Sequence, residues 1–168
     1  ASSVVSGVNL SAPTGAAATA GTHVVTASGG IATNYDITTA NGTLTVDKAA
    51  LTVAANDARK VYGDADPALS YTVNAAQLKY TDPASVGSGV SLSAPTGAAA
   101  TAGTHVVAAS GGIAANYDIT TANGTLTVDK AALTVAANDA RKVYGDADPA
   151  LAYTVNAAQL KYTDAASV

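Results

Sequence analysis

AALTVAANDARKVYGDADPAL, Ala49 to Leu69, returns without a change at Ala131 to Leu151. The repetition continues outside this stretch. Pro13 and Pro95 lie 82 residues apart in one string, LSAPTGAAATAGTHVV, and the copies differ only at scattered positions such as Asn9/Ser91, Thr26/Ala108 and Ser70/Ala152. A solenoid coil needs roughly 20 to 45 residues, whereas a small β-sandwich domain has about 100, so each period reads as a domain. If a domain starts at the signature, residues 49–130 are one whole unit. Residues 1–48 are then the C-terminal part of a preceding unit and 131–168 the N-terminal part of a following one. The chain is thus expected to be a window on a longer array, or a subunit whose half-domains complete each other between neighbouring copies.

Composition points to strands. Glu, Phe, Trp and Met are missing, while Thr and Val recur at alternate positions, which suits a pleated surface better than a helix. The large core residues must then be Tyr, Leu, Val and Ile, and a core of that kind is small, so a domain of this size leans on its neighbours. With no Cys there is no disulfide, thiolate metal site or cysteine nucleophile. A formal net charge of −4 argues against nucleic acid, whose phosphates call for clustered Lys and Arg. No apolar run reaches the roughly 20 residues of a membrane-spanning helix, and no signal-peptide pattern opens the chain.

Several strands follow from local pattern: Val8 and Leu10 within residues 1–12, then THVVTAS up to the Gly29-Gly30 break, then LTVAA, RKVY and ALSYTVN. Leu51, Val53 and Ala55 are expected to face inward. Asn41-Gly42 is the dipeptide of a type I′ hairpin turn, predicting antiparallel pairing of Thr39 with Leu44 and Ile37 with Val46. AALTV follows Asp47-Lys48 with no Gly/Ser spacer, so the junction is expected to be stiff. Counting through residues 49–130 gives about seven antiparallel strands. The fold expected is all-β: tandem Ig-like β-sandwich domains in an extended rod. The alternative is a β-grasp-like unit, should Ala75–Asp82 form a real helix.

With LTVAANDARKVYGDADPALSYTV, GVSLSAPTGAAATAGTHVV and NYDITTANGTLTV in view, the chain resembles the MBG family of bacterial surface repeats, in the type marked by a YG dipeptide. The carriers are Val61-Tyr62-Gly63-Asp64, Pro67, Asn34-Tyr35 and Gly42-Thr43-Leu44-Thr45-Val46, with their copies. The resemblance implies a stalk or spacer module of a large secreted or surface-anchored, adhesin-like protein. The family carries no assigned chemistry, so no catalytic residue transfers.

Candidate chemistry is sparse. Asp57, Asp64 and Asp66, with their copies Asp139, Asp146 and Asp148, are the calcium candidates. Ca²⁺ needs six to eight oxygens and neither an EF-hand loop nor an RTX nonapeptide is present. Asp in a turn before Pro also caps its own backbone, which is the reading favoured here. His23 and His105 stand alone in strands and read as hydrogen-bonded, half-buried side chains. Lys48 or Lys60 beside an Asn would suit an isopeptide bond, but only Asp is present as the required buried acid. The eight tyrosines read as packing, with Tyr80 the best candidate for an exposed contact. No catalytic set and no cofactor are expected. The function expected is a structural stalk or filament segment at the bacterial cell surface, giving length and stiffness. The alternative is a multivalent module in cell adhesion or biofilm, binding glycans or neighbouring copies of the array.

Overall fold

The computed structural model describes residues 4–165. The protein is all-β and built of several sheets, as expected for the sandwich class, and among the described residues the helical pieces are single 3-10 turns of three residues. The strands are β1 (Ser6–Ser11), β2 (Gly21–Ile31), β3 (Gly42–Val46), β4 (Ala49–Ala55), β5 (Ala58–Val61), β6 (Tyr71–Val73), β7 (Ser88–Ser93), β8 (Gly103–Ile113), β9 (Tyr117–Ala122), β10 (Gly124–Asp129), β11 (Val135–Ala137) and β12 (Tyr153–Val155). Residues 49–130 therefore hold seven strands, β4 to β10, the number read from the sequence. The chain gathers into two compact units. One comprises Ala1–Ala54, Thr72–Ser91 and Ser110–Ala122, the other Ala55–Tyr71, Leu92–Ala109 and Asn123–Val168.

In the first unit β1, β2 and β3 form one sheet in that order. The glycine pair does not end β2, because β1 supplies a partner on that side, Val8 opposite Gly29 and Ser6 opposite Ile31. A second sheet has the order β6-β4-β9. Its apolar face buries Leu51, Val53, Val73, Ala114 and Tyr117, with Leu78, Val86, Val90 and Ile119 packed against them. In the second unit the sheet order is β5-β10-β8-β7, and Ala55, Ala100, Val107, Leu126 and Val128 are buried together. The inward set Leu51, Val53 and Ala55 is the expected one. β11 and β12 pair antiparallel in a sheet of their own.

Two expectations need correction. First, the sheets are mixed: β4 runs parallel to β9, Leu51 opposite Ile119, and β5 runs parallel to β10, Ala58 opposite Leu126. Alternation reports which face is buried, not which strand lies alongside. Second, Asn-Gly closes no hairpin. β3 pairs with β2, His23 opposite Leu44, and in the second copy β9 and β10 lie in different sheets. Neither Gly42 nor Gly124 has the positive φ of a type I′ turn. The dipeptide serves a crossing instead. The Asn123 side-chain oxygen accepts the Ala109 N–H at 3.0 Å, as Asn41 does from Ala27 at 3.2 Å. Gly124 passes so close that a Cβ would stand 2.6 Å from the Ala55 carbonyl oxygen and 2.9 Å from that of Asn56. Ala75–Gln77 is one 3-10 turn, capped by the Asn74 side chain accepting from Ala76 N–H, which falls short of the real helix that the β-grasp alternative calls for.

Identical segments differ in structure according to company. YDITTA is strand β9 at 117–122 and has no strand at 35–40, and ARKV is strand β5 at 58–61 and has none at 140–143. Burial follows: Leu51 is 0% exposed and Leu133 49%, while Tyr117 is 3% exposed and Tyr35 65%.

Leu51→Ala is expected to cost about 2–5 kcal/mol in urea unfolding. Leu133→Ala, measured in dilute protein, should stay within about 0.5 kcal/mol. Gly124→Ala should destabilise by about 1–3 kcal/mol and Gly42→Ala by much less, since a Cβ at Gly42 meets only the Val25 side chain at 3.7 Å. Equal effects within either pair would contradict the packing described.

Candidate functional site

Some of the polar contacts join one 82-residue period to the next, and the others lie within residues 49–130. In the second unit, Tyr62 and Gly63 receive the segment 161–164. The rings of Tyr62 and Tyr162 meet edge to face, with centroids 5.4 Å apart at an interplanar angle of 69°. The Tyr62 hydroxyl donates to Asp164 at 3.4 Å. Gly63 has φ of +90°, and a Cβ there would overlap the methylene stem of Lys161. Only glycine meets both demands at low cost. Beside this contact lies an open cleft of about 350 Å³ lined by Tyr62, Lys130, Leu133, Gln159, Lys161 and Asp164. Its charges are of both signs and its walls belong to two periods.

The first unit holds a different set of contacts around Lys48-Ala49. The Asn116 side-chain oxygen accepts from Ala20 N–H at 3.0 Å while its backbone oxygen accepts from Ala49 N–H at 3.0 Å. Lys48 Nζ donates to the Ala114 oxygen at 3.1 Å. Tyr117 is buried with its hydroxyl satisfied twice, accepting from Lys79 N–H at 2.8 Å and donating to Asp82 at 2.7 Å. That bond pins residues 79–82, the equivalent of 161–164. Tyr80, read as an exposed contact, is 70% exposed and held at φ +52°; Tyr162 has the same φ.

The calcium candidates do not gather. Asp66 stays exposed while one of its oxygens pairs with Lys60 Nζ at 2.6 Å and both accept from Gly97 N–H at 3.2 and 3.1 Å. Lys60 is a buried cation whose ammonium also reaches the Asp64 backbone oxygen at 3.4 Å. Asp57 accepts from Thr125 N–H at 2.8 Å. Asp148 pairs with Lys142, the equivalent of Asp66 with Lys60. Asp139 and Asp146 lie in the exposed part of the last copy. Among the described residues no three His, Cys, Asp or Glu side chains converge as metal ligands would. His23 and His105 are half-buried, each Nε2–H donating to a carbonyl, of Thr19 and of Thr101, at 2.6 Å.

The electrostatics favour a fixed structure. The hydrogen bond that Lys60 donates to Asp66 raises the Lys60 pKa, with burial opposing it and Tyr162 adding a little. Asp66 is lowered by the hydrogen bond from Lys60 and then by that from Gly97 N–H. Burial raises Tyr62 and Tyr117, and the neighbouring Asp164 and Asp82 raise them further. Arg59 makes a two-pronged pair with Asp129, at 2.6 and 2.8 Å. The Lys60–Asp66 pair spans six residues of an irregular turn, and no periodic pattern in the sequence announces it.

A family model described as MBG domain (YGX type) matches residues 51–127 and 133–168. No curated protein and no solved structure matches the chain.

These shifts set the pH profile of stability. Asp66 is lower in the folded chain, so its contribution is full above its ordinary value of 3.8 and is lost as pH falls through the folded value. Tyr62, Tyr117 and Lys60 are raised, so theirs is full below ordinary values of 10.0 and 10.5 and is lost as pH rises through the folded ones. The urea midpoint should therefore be level near neutrality and drop at both ends. Asp66→Asn should shrink the acid limb and leave the alkaline limb in place. An acid limb unchanged in this variant would show that other carboxylates set it.

Proposed function

Because the chain belongs to the MBG domain family of the YGX type, which points to bacterial surface repeat proteins, we propose that it is a stalk segment. It gives length and stiffness to a large surface or secreted protein whose adhesive part lies elsewhere. The observation that supports this best is that the family's YG dipeptide is itself the joint: Tyr62 and Gly63 hold Tyr162, Asp164 and Lys161 of the next period. The absence of a Gly/Ser spacer between Asp129 and Leu133 leaves little slack at that joint. Catalysis has no place in this reading, and neither does a bound metal.

Arrays of two, three and four whole periods measured by small-angle scattering should show a maximum dimension that grows by a constant step per period. A dimension that stops growing would sink the stalk reading. Binding of the 168-residue chain to a glycan array would instead favour the adhesive-module reading. The thermal midpoint should be the same in EGTA and in millimolar calcium; a rise with calcium would show a site that binds only the folded form.

A further inference from the structure

We propose that Tyr62 and Tyr162 form a site of oxidative cross-linking, where a one-electron oxidant of the peroxidase and hydrogen peroxide class joins the two rings and ties one period covalently to the next. The rings already meet edge to face, with centroids 5.4 Å apart. A reaction between groups held in contact is spared the entropy of bringing two partners together. The backbone places the ring of Tyr162: its φ is +52°, which a bulky residue rarely adopts, and the stem of Lys161 lies where a Cβ on Gly63 would stand. Tyr80 has the same φ, and Asp82 N–H donates to the Lys79 oxygen at 3.1 Å as Asp164 N–H does to that of Lys161 at 3.0 Å. Residues 161–164 thus have the shape that the repeat itself gives this segment.

Composition directs oxidation to such rings. Cys and Met, on which oxidants ordinarily act, are absent, and so is Trp, which leaves the eight tyrosines. Tyr117 is withdrawn from an oxidant in solution, 3% exposed and with its hydroxyl engaged by Lys79 N–H and Asp82. Tyr62 is half-buried and its hydroxyl donates to Asp164 at 3.4 Å, so a carboxylate stands ready to receive the phenolic proton as the electron leaves. Each phenol loses one electron and its hydroxyl proton and becomes a phenoxyl radical with unpaired spin on the Cε carbons. The two radicals pair in a Cε–Cε bond, and the hydrogen on each bonded carbon passes as a proton to the oxygen of its ring, restoring both phenols. In all, two electrons and two protons leave the protein and reduce one hydrogen peroxide to two waters. The product is a carbon–carbon staple in a chain that has no Cys to make a disulfide.

The 168-residue chain, treated in dilute solution with peroxidase and hydrogen peroxide, should gain dityrosine fluorescence while remaining a single copy, and its intact mass should fall by that of two hydrogen atoms. Trypsin should then release residues 61–79 joined to residues 162–168. Because 61–79 also contains Tyr71, Tyr62→Phe assigns the partner. Tyr62→Phe and Tyr162→Phe each keep the ring and its edge-to-face contact, so both variants fold, but Phe forms no phenoxyl radical and each should lose the joined peptide. Tyr80→Phe should retain it, and oxidation of the unsubstituted chain in urea, where the rings are apart, should not produce it. A joined peptide that is missing from the oxidised native chain, persists in Tyr62→Phe, forms equally in urea or occurs only in cross-linked dimers would overturn the proposal.

Discussion

A strand of alanine, threonine and valine has little to hold it straight besides the ladder of the strand next to it. Its backbone N–H and C=O groups need partners, its side chains bury little area, and no long aromatic anchors it. Residues 35–40 and 117–122 are the same six residues, and only those lying along β4 form a strand. ARKV behaves likewise, extended at 58–61 against β10 and irregular at 140–143. Pairing thus decides secondary structure here, and propensity only permits it.

The same dependence reaches the core. Leu51, Leu126, Val53 and Val107 are the largest fully buried side chains, so each sheet has a thin apolar seam and few residues to spare. Tyr117 is the exception, and its hydroxyl is used to fix the 79–82 segment. The segment so fixed is the one that the preceding period grips in the equivalent contact, Tyr62 to Asp164. Tyr117 donates to Oδ2 of Asp82 and Tyr62 to Oδ1 of Asp164.

Much of this was legible in the residues. The period, the all-β class, the seven strands of residues 49–130 and the inward set Leu51, Val53 and Ala55 all follow from alternation and recurrence. The partners did not follow. Alternation in YDITTANGTLTV is the same whether the halves fold back on each other or enter two different sheets. Asn-Gly suggested the first, while the feature that decides the second is the approach of Gly124 to the Ala55 carbonyl. The Asp residues of GDADP were legible as turn formers, yet the buried Lys60 that takes Asp66 was not, because that meeting depends on how the turn wraps. Tyr62-Gly63 could be recognised as a signature from sequence, but its purpose is visible only with Tyr162 and Lys161 beside it.

The parallel pairing of β4 with β9 and of β5 with β10 has a mechanical consequence. Suppose tension enters at Ala49 and leaves at Asp129. β4 is then drawn from its N-terminal end, while β9, which runs almost directly into β10, is drawn from its C-terminal end. β5 and β10 are pulled in the same opposed sense. Parallel strands tugged from opposite ends must slide past each other, and the evenly spaced bonds between them are strained together in shear instead of being peeled one after another. Forced unfolding is governed by the height of its barrier, and a ladder loaded in shear has to lose its bonds together rather than in turn.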